Sequence, residues 1–440
     1  MQITGGKQMK NKKKFGLISI ILLGMNAIIG SGIFLLPGQA YDLVGTSSLF
    51  VFLFITLLAG SLALCFAEAA GLFKSNGAAY IYAKEAFGNF AGFEVGFMKY
   101  VVQLISWATM AVGFVTALAA IFPEASQGTV RNVIVVGLIV ALSIVNYIGI
   151  DVAKYVNNVA TVGKLAPIII FIAAGIFFIK GSNFQPVVPE DLSVATFAEA
   201  AILIFYAFTG FEAIAGASEE MDNPKKNLPI AIAVAIGCVS LIYILLQFVS
   251  IGILGSDLSG TETPVVDAMS TFMGSAGGTL VTVGTLISIG GINAANSIFV
   301  PRGCLALGER GMLPPIVKKM SKRGTPVVAI VISAVLVIPL ALSGTFTQLA
   351  AISVISRFTQ YIPTCLSIIV FRRRGMESTF KVPFGYTIPI VAILVSIWLL
   401  YNSDPVRLVI GLGALVIIVP IYFVIKKYNE KHGYEFTDAE

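Results

Sequence analysis

Residues 28–34 read Ile28-Ile29-Gly30-Ser31-Gly32-Ile33-Phe34, in the middle of an apolar run that extends over 15–41. Two glycines flanking a serine make a weak point in a helix, because glycine costs about 1 kcal/mol against alanine in a helix interior. At mid-depth of a hydrophobic segment that weakness has a consequence. Backbone groups left unpaired in hydrocarbon cost several kcal/mol each, so a break is tolerated only where it lines a cavity.

A second stretch has the same character. Tyr206-Ala207-Phe208-Thr209-Gly210-Phe211-Glu212 interrupts another apolar run, and Gly210 follows Gly30 by 180 residues. Four complete apolar segments lie between the two runs. That spacing predicts two five-helix repeats, the second inverted relative to the first because the number is odd, followed by two further helices. In such an architecture discontinuous helices meet at the midplane and present their ends to a substrate. The competing reading is that the glycines merely let helices pack closely, as small residues do in membrane bundles. Two such sites, each first in its repeat, favour the break.

Outward from these points, apolar stretches of membrane-spanning length recur along the whole chain. A span needs about 20 apolar residues to cross ~30 Å of hydrocarbon. Twelve are predicted, over 15–41, 48–72, 91–121, 131–148, 158–180, 196–217, 228–254, 278–304, 326–343, 347–371, 384–401 and 406–426. The expected organisation is an N-tail over 1–14, a first repeat over 15–180, a second over 196–371, two helices over 384–426 and a C-tail over 427–440. The chain is 57% hydrophobic and 12% charged, with a mean hydropathy of +0.91. A soluble core cannot hide that much apolar surface, whereas a bilayer can. The first run is too long for a cleavable signal and reaches the second span without a small-residue cleavage site.

Lys and Arg set the orientation. With twelve spans, 23 of the 29 basic residues fall on the side of the termini and only Arg131, Lys180 and Arg407 on the other. Both termini are therefore expected in the cytoplasm of a bacterial inner membrane. The net charge of +6 reflects this topology and contact with anionic lipid, not binding of nucleic acid. Cys65, Cys238, Cys304 and Cys365 lack paired short spacings and read as small apolar packing residues. No metal or cofactor is expected.

If both helices break, the physics of the site follows. Free N–H groups around Ser31, Gly32 and Ile33 open the second half of the first helix, a positive dipole end suited to a carboxylate. Free carbonyls near Phe205, Tyr206 and Phe208 close the first half of the sixth and suit an ammonium. Ile28, Gly30 and Gly210 complete the candidate binding residues. The ligand expected between two such ends is a small zwitterion.

These residues resemble the amino acid–polyamine–organocation superfamily of transporters. Ile28 through Phe34 looks like its helix 1 signature. The stretch from Phe205 to Glu220, followed by Asn223-Pro224-Lys225-Lys226-Asn227-Leu228-Pro229-Ile230-Ala231-Ile232, is similar to its helix 6 and the loop after it. Arg302 to Pro314, then Thr325-Pro326, looks like the segment after helix 8. The likeness covers nearly the whole chain. It implies an all-α polytopic fold of the LeuT type, with the substrate carboxylate at Ser31 and Gly32, its ammonium at the helix 6 carbonyls, and Tyr206 and Phe208 as candidate gates. For both aromatics the alternative is ordinary packing.

Charges inside the spans are functional by default. Lys164, in the fifth span, is similar to a lysine that takes the place of a sodium ion in some family members, which implies sodium independence. Proton exchange by its amine and snorkelling toward the cytoplasm are the alternatives. Glu212 either senses protons or braces the unwound segment. Arg357, mid-span in the tenth helix, reads a substrate carboxylate or pairs with an intramembrane acid such as Glu212 or Glu68, the pairing being favoured. Glu219 and Glu220 are expected to meet loop lysines. His432, alone in the tail, leaves no histidine proton relay.

A membrane enzyme would need a metal or nucleophile constellation, and none is present in sequence. A channel would need a repeated filter or a charged ring. The expectation is a carrier of amino acids, by proton symport or exchange, working as a monomer or homodimer. No extra acid occurs around Trp107, Ser288–Asn293 or Val354, which favours neutral substrates over polyamines or basic amino acids.

Overall fold

A computed structural model describes residues 16–73, 79–149, 152–190, 192–216 and 221–432. The expected N-tail, most of the C-tail, Glu219 and Glu220 lie outside the described residues. In chain order the helices are α1 (Leu17–Ile28), α2 (Gly32–Leu35), α3 (Pro37–Val44), α4 (Ser48–Ala70), α5 (Ala79–Phe87) and α6 (Asn89–Leu118). Then come α7 (Gly128–Ile148), α8 (Val152–Gly175), α9 (Val194–Phe208), α10 (Glu212–Gly216) and α11 (Pro224–Leu254). The chain closes with α12 (Pro264–Glu309), α13 (Val327–Leu342), α14 (Phe346–Arg373), α15 (Thr387–Tyr401) and α16 (Pro405–His432). No β-strand occurs among the described residues.

Eight helical segments among the described residues are long and apolar enough to cross a membrane, and four further apolar helices have 10–17 residues. Local chemistry sets their ends. Ser193 with Thr196, and Thr345 with Gln348, form reciprocal capping boxes that start α9 and α14. Pro224 and Pro264 sit in the first turns of α11 and α12, where a missing N–H costs nothing.

Two features were not anticipated. A short helix, α5, precedes α6 and is joined to it at Gly88. The stretch expected as a span over 278–304 is part of a 46-residue helix, α12, kinked at Gly274, whose φ of 64° is left-handed.

The helices pack into one bundle. α12 lies against α6 and α8, α14 against α5 and α6, α4 against α9 and α11, and α1 against α11. The apolar windows of α6, α14 and the Val194–Ala215 segment are each 61% buried, against 17% for α7 and 22% for α16. The first three are thus central and the last two peripheral. Large apolar side chains such as Leu57, Phe177, Val331 and Val416 stand exposed on the outside. An apolar exterior of this extent is the surface a bilayer covers. Cys65, Cys304 and Cys365 are buried as expected, but Cys238 is exposed and packs in no core.

Candidate functional site

Both expected breaks are present. α1 ends at Ile28; Ile29 has extended backbone (ψ 104°), and helix resumes at Gly32. α9 ends at Phe208; Thr209 is extended (ψ 149°), Gly210 has φ 108°, and α10 starts at Glu212.

The two breaks cross at close range, and glycine is required at two points. A Cβ on Gly32 would lie 2.9 Å from both Cα and Cβ of Ala207 in the last turn of α9. A Cβ on Gly210 would collide with the carbonyl of Ala27 in the last turn of α1, and its φ is one that side chains rarely adopt. Each break therefore presses its glycine onto the helix that precedes the other break. Gly30 is different, since a Cβ there would make only ordinary contacts, with Ile292 at 3.5 Å, Met110 at 3.7 Å and the Ile28 carbonyl at 3.9 Å.

The carbonyls at the end of α1 are the ones a helix C-terminus leaves unpaired. Lys164 Nζ donates to the carbonyls of Asn26 (2.6 Å) and Ile29 (2.8 Å). Its side chain is buried, and it lies 12 residues beyond the start of α8, deeper in the helix than the expected span limits implied. A cation at a helix C-terminus is electrostatically favoured. The Tyr243 hydroxyl, on α11, lies 3.4 Å from the carbonyl of Ile28 and donates to that of Ala207 at 3.0 Å. One side chain thus bridges the ends of α1 and α9.

Of the α9 carbonyls expected to be free, that of Tyr206 is occupied. It accepts from Thr209 N (3.2 Å) and Thr209 Oγ1 (2.8 Å), and that of Ala207 is taken by Tyr243. The turn closes on itself because extended Thr209 folds its hydroxyl back.

The three aromatics of the motif diverge. Phe205 packs against Phe358 and Tyr361 of α14. Phe208 packs edge-on against Tyr243. Tyr206 alone turns toward Ser31, with its ring edge-on to Phe346 at 5.8 Å, and its buried hydroxyl has no hydrogen-bond partner among the described residues. Ser31 Oγ contacts Met110 Sδ at 3.3 Å. Asn293 of α12 donates to the Met110 carbonyl at 2.9 Å, and its own Oδ1 is buried without a partner among the described residues. Ile28, Ser31, Gly32 and Ile33 are all buried around this point.

Glu212 braces the second break. Its Oε2 accepts from Gly210 N at 3.0 Å, and its Oε1 from Arg357 Nη1 at 2.6 Å. Arg357 also donates to Ser106 Oγ at 3.0 Å, and Tyr361 lies 3.4 Å from the carboxylate. Of the two acids expected as partners of Arg357, the structure selects Glu212. Glu68 instead forms a two-bond pair with Arg372 and accepts from Val382 N.

Tyr243, Met110 and Asn293 were not singled out as individual contributors by sequence. A tyrosine or asparagine within an otherwise apolar span is the only local signal any of them carries.

The amino acid permease family model matches residues 15–430. An uncharacterised transporter of Mycobacterium tuberculosis is 33% identical, over 89% of this chain and 88% of its own. The serine/threonine exchanger SteT of Bacillus subtilis is 30% identical, over 94% and 97% of the two chains. The branched-chain amino acid permease BcaP of the same organism is 27% identical, over 96% and 94%. A match across nearly the whole chain, on a bundle with two apposed helix breaks, identifies this multi-pass membrane transporter as a member of the amino acid permease family.

Proposed function

We propose that the protein is a sodium-independent secondary carrier of neutral L-amino acids, working by alternating access. The fold we assign is a LeuT-type pair of inverted five-helix repeats plus two helices, twelve spans in all, with both termini cytoplasmic. Driving force comes from protons or from exchange against a second amino acid.

The observation that carries this reading is Lys164, whose amine is bonded to the carbonyls of Asn26 and Ile29 beside the first break. A protein cation there supplies the charge that a coupling sodium would otherwise bring. Beside it, the first-turn N–H groups at Ser31, Gly32 and Ile33 offer a carboxylate site. The Tyr206 hydroxyl and Asn293 Oδ1 offer unspent hydrogen-bonding capacity to a substrate. Tyr206 is the gate candidate that faces Ser31; Phe208, turned to Tyr243, acts by packing. The two curated relatives named for serine and threonine and for branched-chain amino acids support a neutral substrate.

The test is uptake into proteoliposomes of each of the twenty L-amino acids, in sodium and in choline buffers. Saturable uptake of neutral amino acids, equal in both buffers, is expected. Dependence on sodium, or preference for arginine, lysine or a polyamine, would overturn the reading.

A further inference from the structure

An acid on α6 stands where the bundle gives it nothing to bond. Glu94, in the second turn of that helix, is only 8% exposed, and neither carboxylate oxygen has a hydrogen-bond partner among the described residues. A carboxyl group taken out of water without a compensating bond is unfavourable. A lone buried acid therefore marks a place where another molecule completes the bonding.

Glu94 is the one charged residue among those lining an apolar cavity of about 490 Å³ between α6, α14 and α16. Phe87, Phe90, Phe358, Leu366 and Leu415 contribute to its walls. Its mouth opens outward, since Phe87, Phe90 and Leu366 are exposed on the apolar exterior of the bundle. A water needs roughly 10–15 Å³ on this measure, and apolar cavities stay dry. The space thus suits a hydrocarbon chain entering from the bilayer.

The polarity of the cavity is graded with depth. Glu94 lies about 7.5 Å along α6 from its first residue, whereas Phe358 is near the middle of α14. The end nearest Glu94 also carries a cation. Arg374 donates to the carbonyls of Glu85 (2.6 Å) and Ala86 (3.1 Å), and the next residue, Phe87, is at the cavity mouth. An acid and a cation at the interface, with an apolar cleft leading inward, match the ammonium, phosphate and tail of a zwitterionic lipid.

We propose that this cleft binds one phosphatidylethanolamine molecule, its primary ammonium donating to Glu94, its phosphate toward Arg374 and an acyl chain lying along Phe358. Ammonium and carboxylate form a charge-assisted bond. The site adjoins the machinery of the second break. Phe358 follows Arg357, which braces that break through Glu212, and its ring packs against Phe205 of α9 at 5.6 Å. A chain seated there steadies the turn of α14 that holds the break. The inference is independent of which substrate is carried.

The experiment is native mass spectrometry of the purified full-length transporter, stripped of lipid in detergent. It is titrated separately with dioleoyl phosphatidylethanolamine, phosphatidylcholine and phosphatidylglycerol. One molecule of the ethanolamine lipid is expected to be held at several-fold higher occupancy than either of the others. The choline lipid keeps the tails, phosphate and positive charge but has no N–H to donate; the glycerol lipid has no ammonium. Glu94→Gln is expected to lower occupancy by the ethanolamine lipid several-fold, to the level of the choline lipid. Leu415→Trp, which fills the cavity and keeps the acid, is expected to lower it as well. If the choline or the glycerol lipid is held equally, or none is retained, the wild-type chain has annular lipid only and the site is wrong. Either folded variant holding the ethanolamine lipid as the wild type does would also overturn it. The wild-type comparison decides the case should a variant fail to fold.

Discussion

The Arg357 guanidinium meets the Glu212 carboxylate at 2.6 Å, and the same carboxylate accepts the Gly210 amide at the break between α9 and α10. A side chain of α14 thus fixes the non-helical backbone of another element through one intermediate. The side chains are only 13% and 31% exposed, so either charge left alone is poorly solvated.

Removing one partner of such a pair is therefore worse than removing both. Arg357→Met is expected to lower stability by about 3 kcal/mol, toward the lower end of the range for buried pairs because Glu212 is partly exposed. The double variant Arg357→Met with Glu212→Gln should recover part of that loss. Thermal unfolding of the purified single and double variants checks this; a double variant less stable than Arg357→Met contradicts it.

The glycines of the two breaks should respond differently. Gly210→Ala places a side chain at a φ of 108° and against the Ala27 carbonyl, and is expected to abolish folded protein in the membrane. Gly30→Ala meets only ordinary contacts and should fold within about 0.5 kcal/mol of wild type. Its added methyl group faces Ile292 and Met110 beside Ser31, so a raised substrate KM is the expected functional effect. Expression and monodispersity by size-exclusion chromatography separate the two cases.

Lys164→Ala removes the donor to the Asn26 and Ile29 carbonyls. Proton-driven accumulation is expected to fall to the level of passive exchange, while counterflow of labelled against unlabelled amino acid persists in part. Uptake on an imposed pH gradient measures this, and a variant that still concentrates substrate removes Lys164 from coupling.

Tyr243→Phe keeps the ring against Phe208 and deletes only the hydroxyl shared by Ile28 and Ala207. One good hydrogen bond and one long one are lost, at a net cost of about 1 kcal/mol. A modest fall in thermal stability with a larger fall in transport rate is expected, because the bridge joins the two breaks. An unchanged rate would make the hydroxyl purely structural.

How much of this was legible in the sequence depends on the range of the interaction. The breaks were visible because glycine at mid-span is a local signal, although the irregular backbone begins at Ile29 and Gly30 itself is under no conformational demand. The partner of Arg357 was narrowed to two acids because a buried guanidinium needs one; choosing Glu212 required knowing which helix α14 faces. Of the carbonyls expected to be free, that of Tyr206 is taken, and the way Thr209 turns its hydroxyl onto it depends on a side-chain torsion. Tyr243 carries only the weak mark of a tyrosine within an apolar span. Its role arises from contacts with Ile28, 215 positions away, and Ala207, 36 away, which no local pattern shows.

The reciprocal crossing of Gly32 on Ala207 and Gly210 on Ala27 has a mechanical consequence. Two rods that notch into each other at two points cannot slide or roll independently without backbone striking backbone. The α1–α3 and α9–α10 arms must tilt as a single rigid cross, with the notch as its pin. Any motion that opens one face of the membrane at the first arm is then geared to the second, and no separate signal between them is needed.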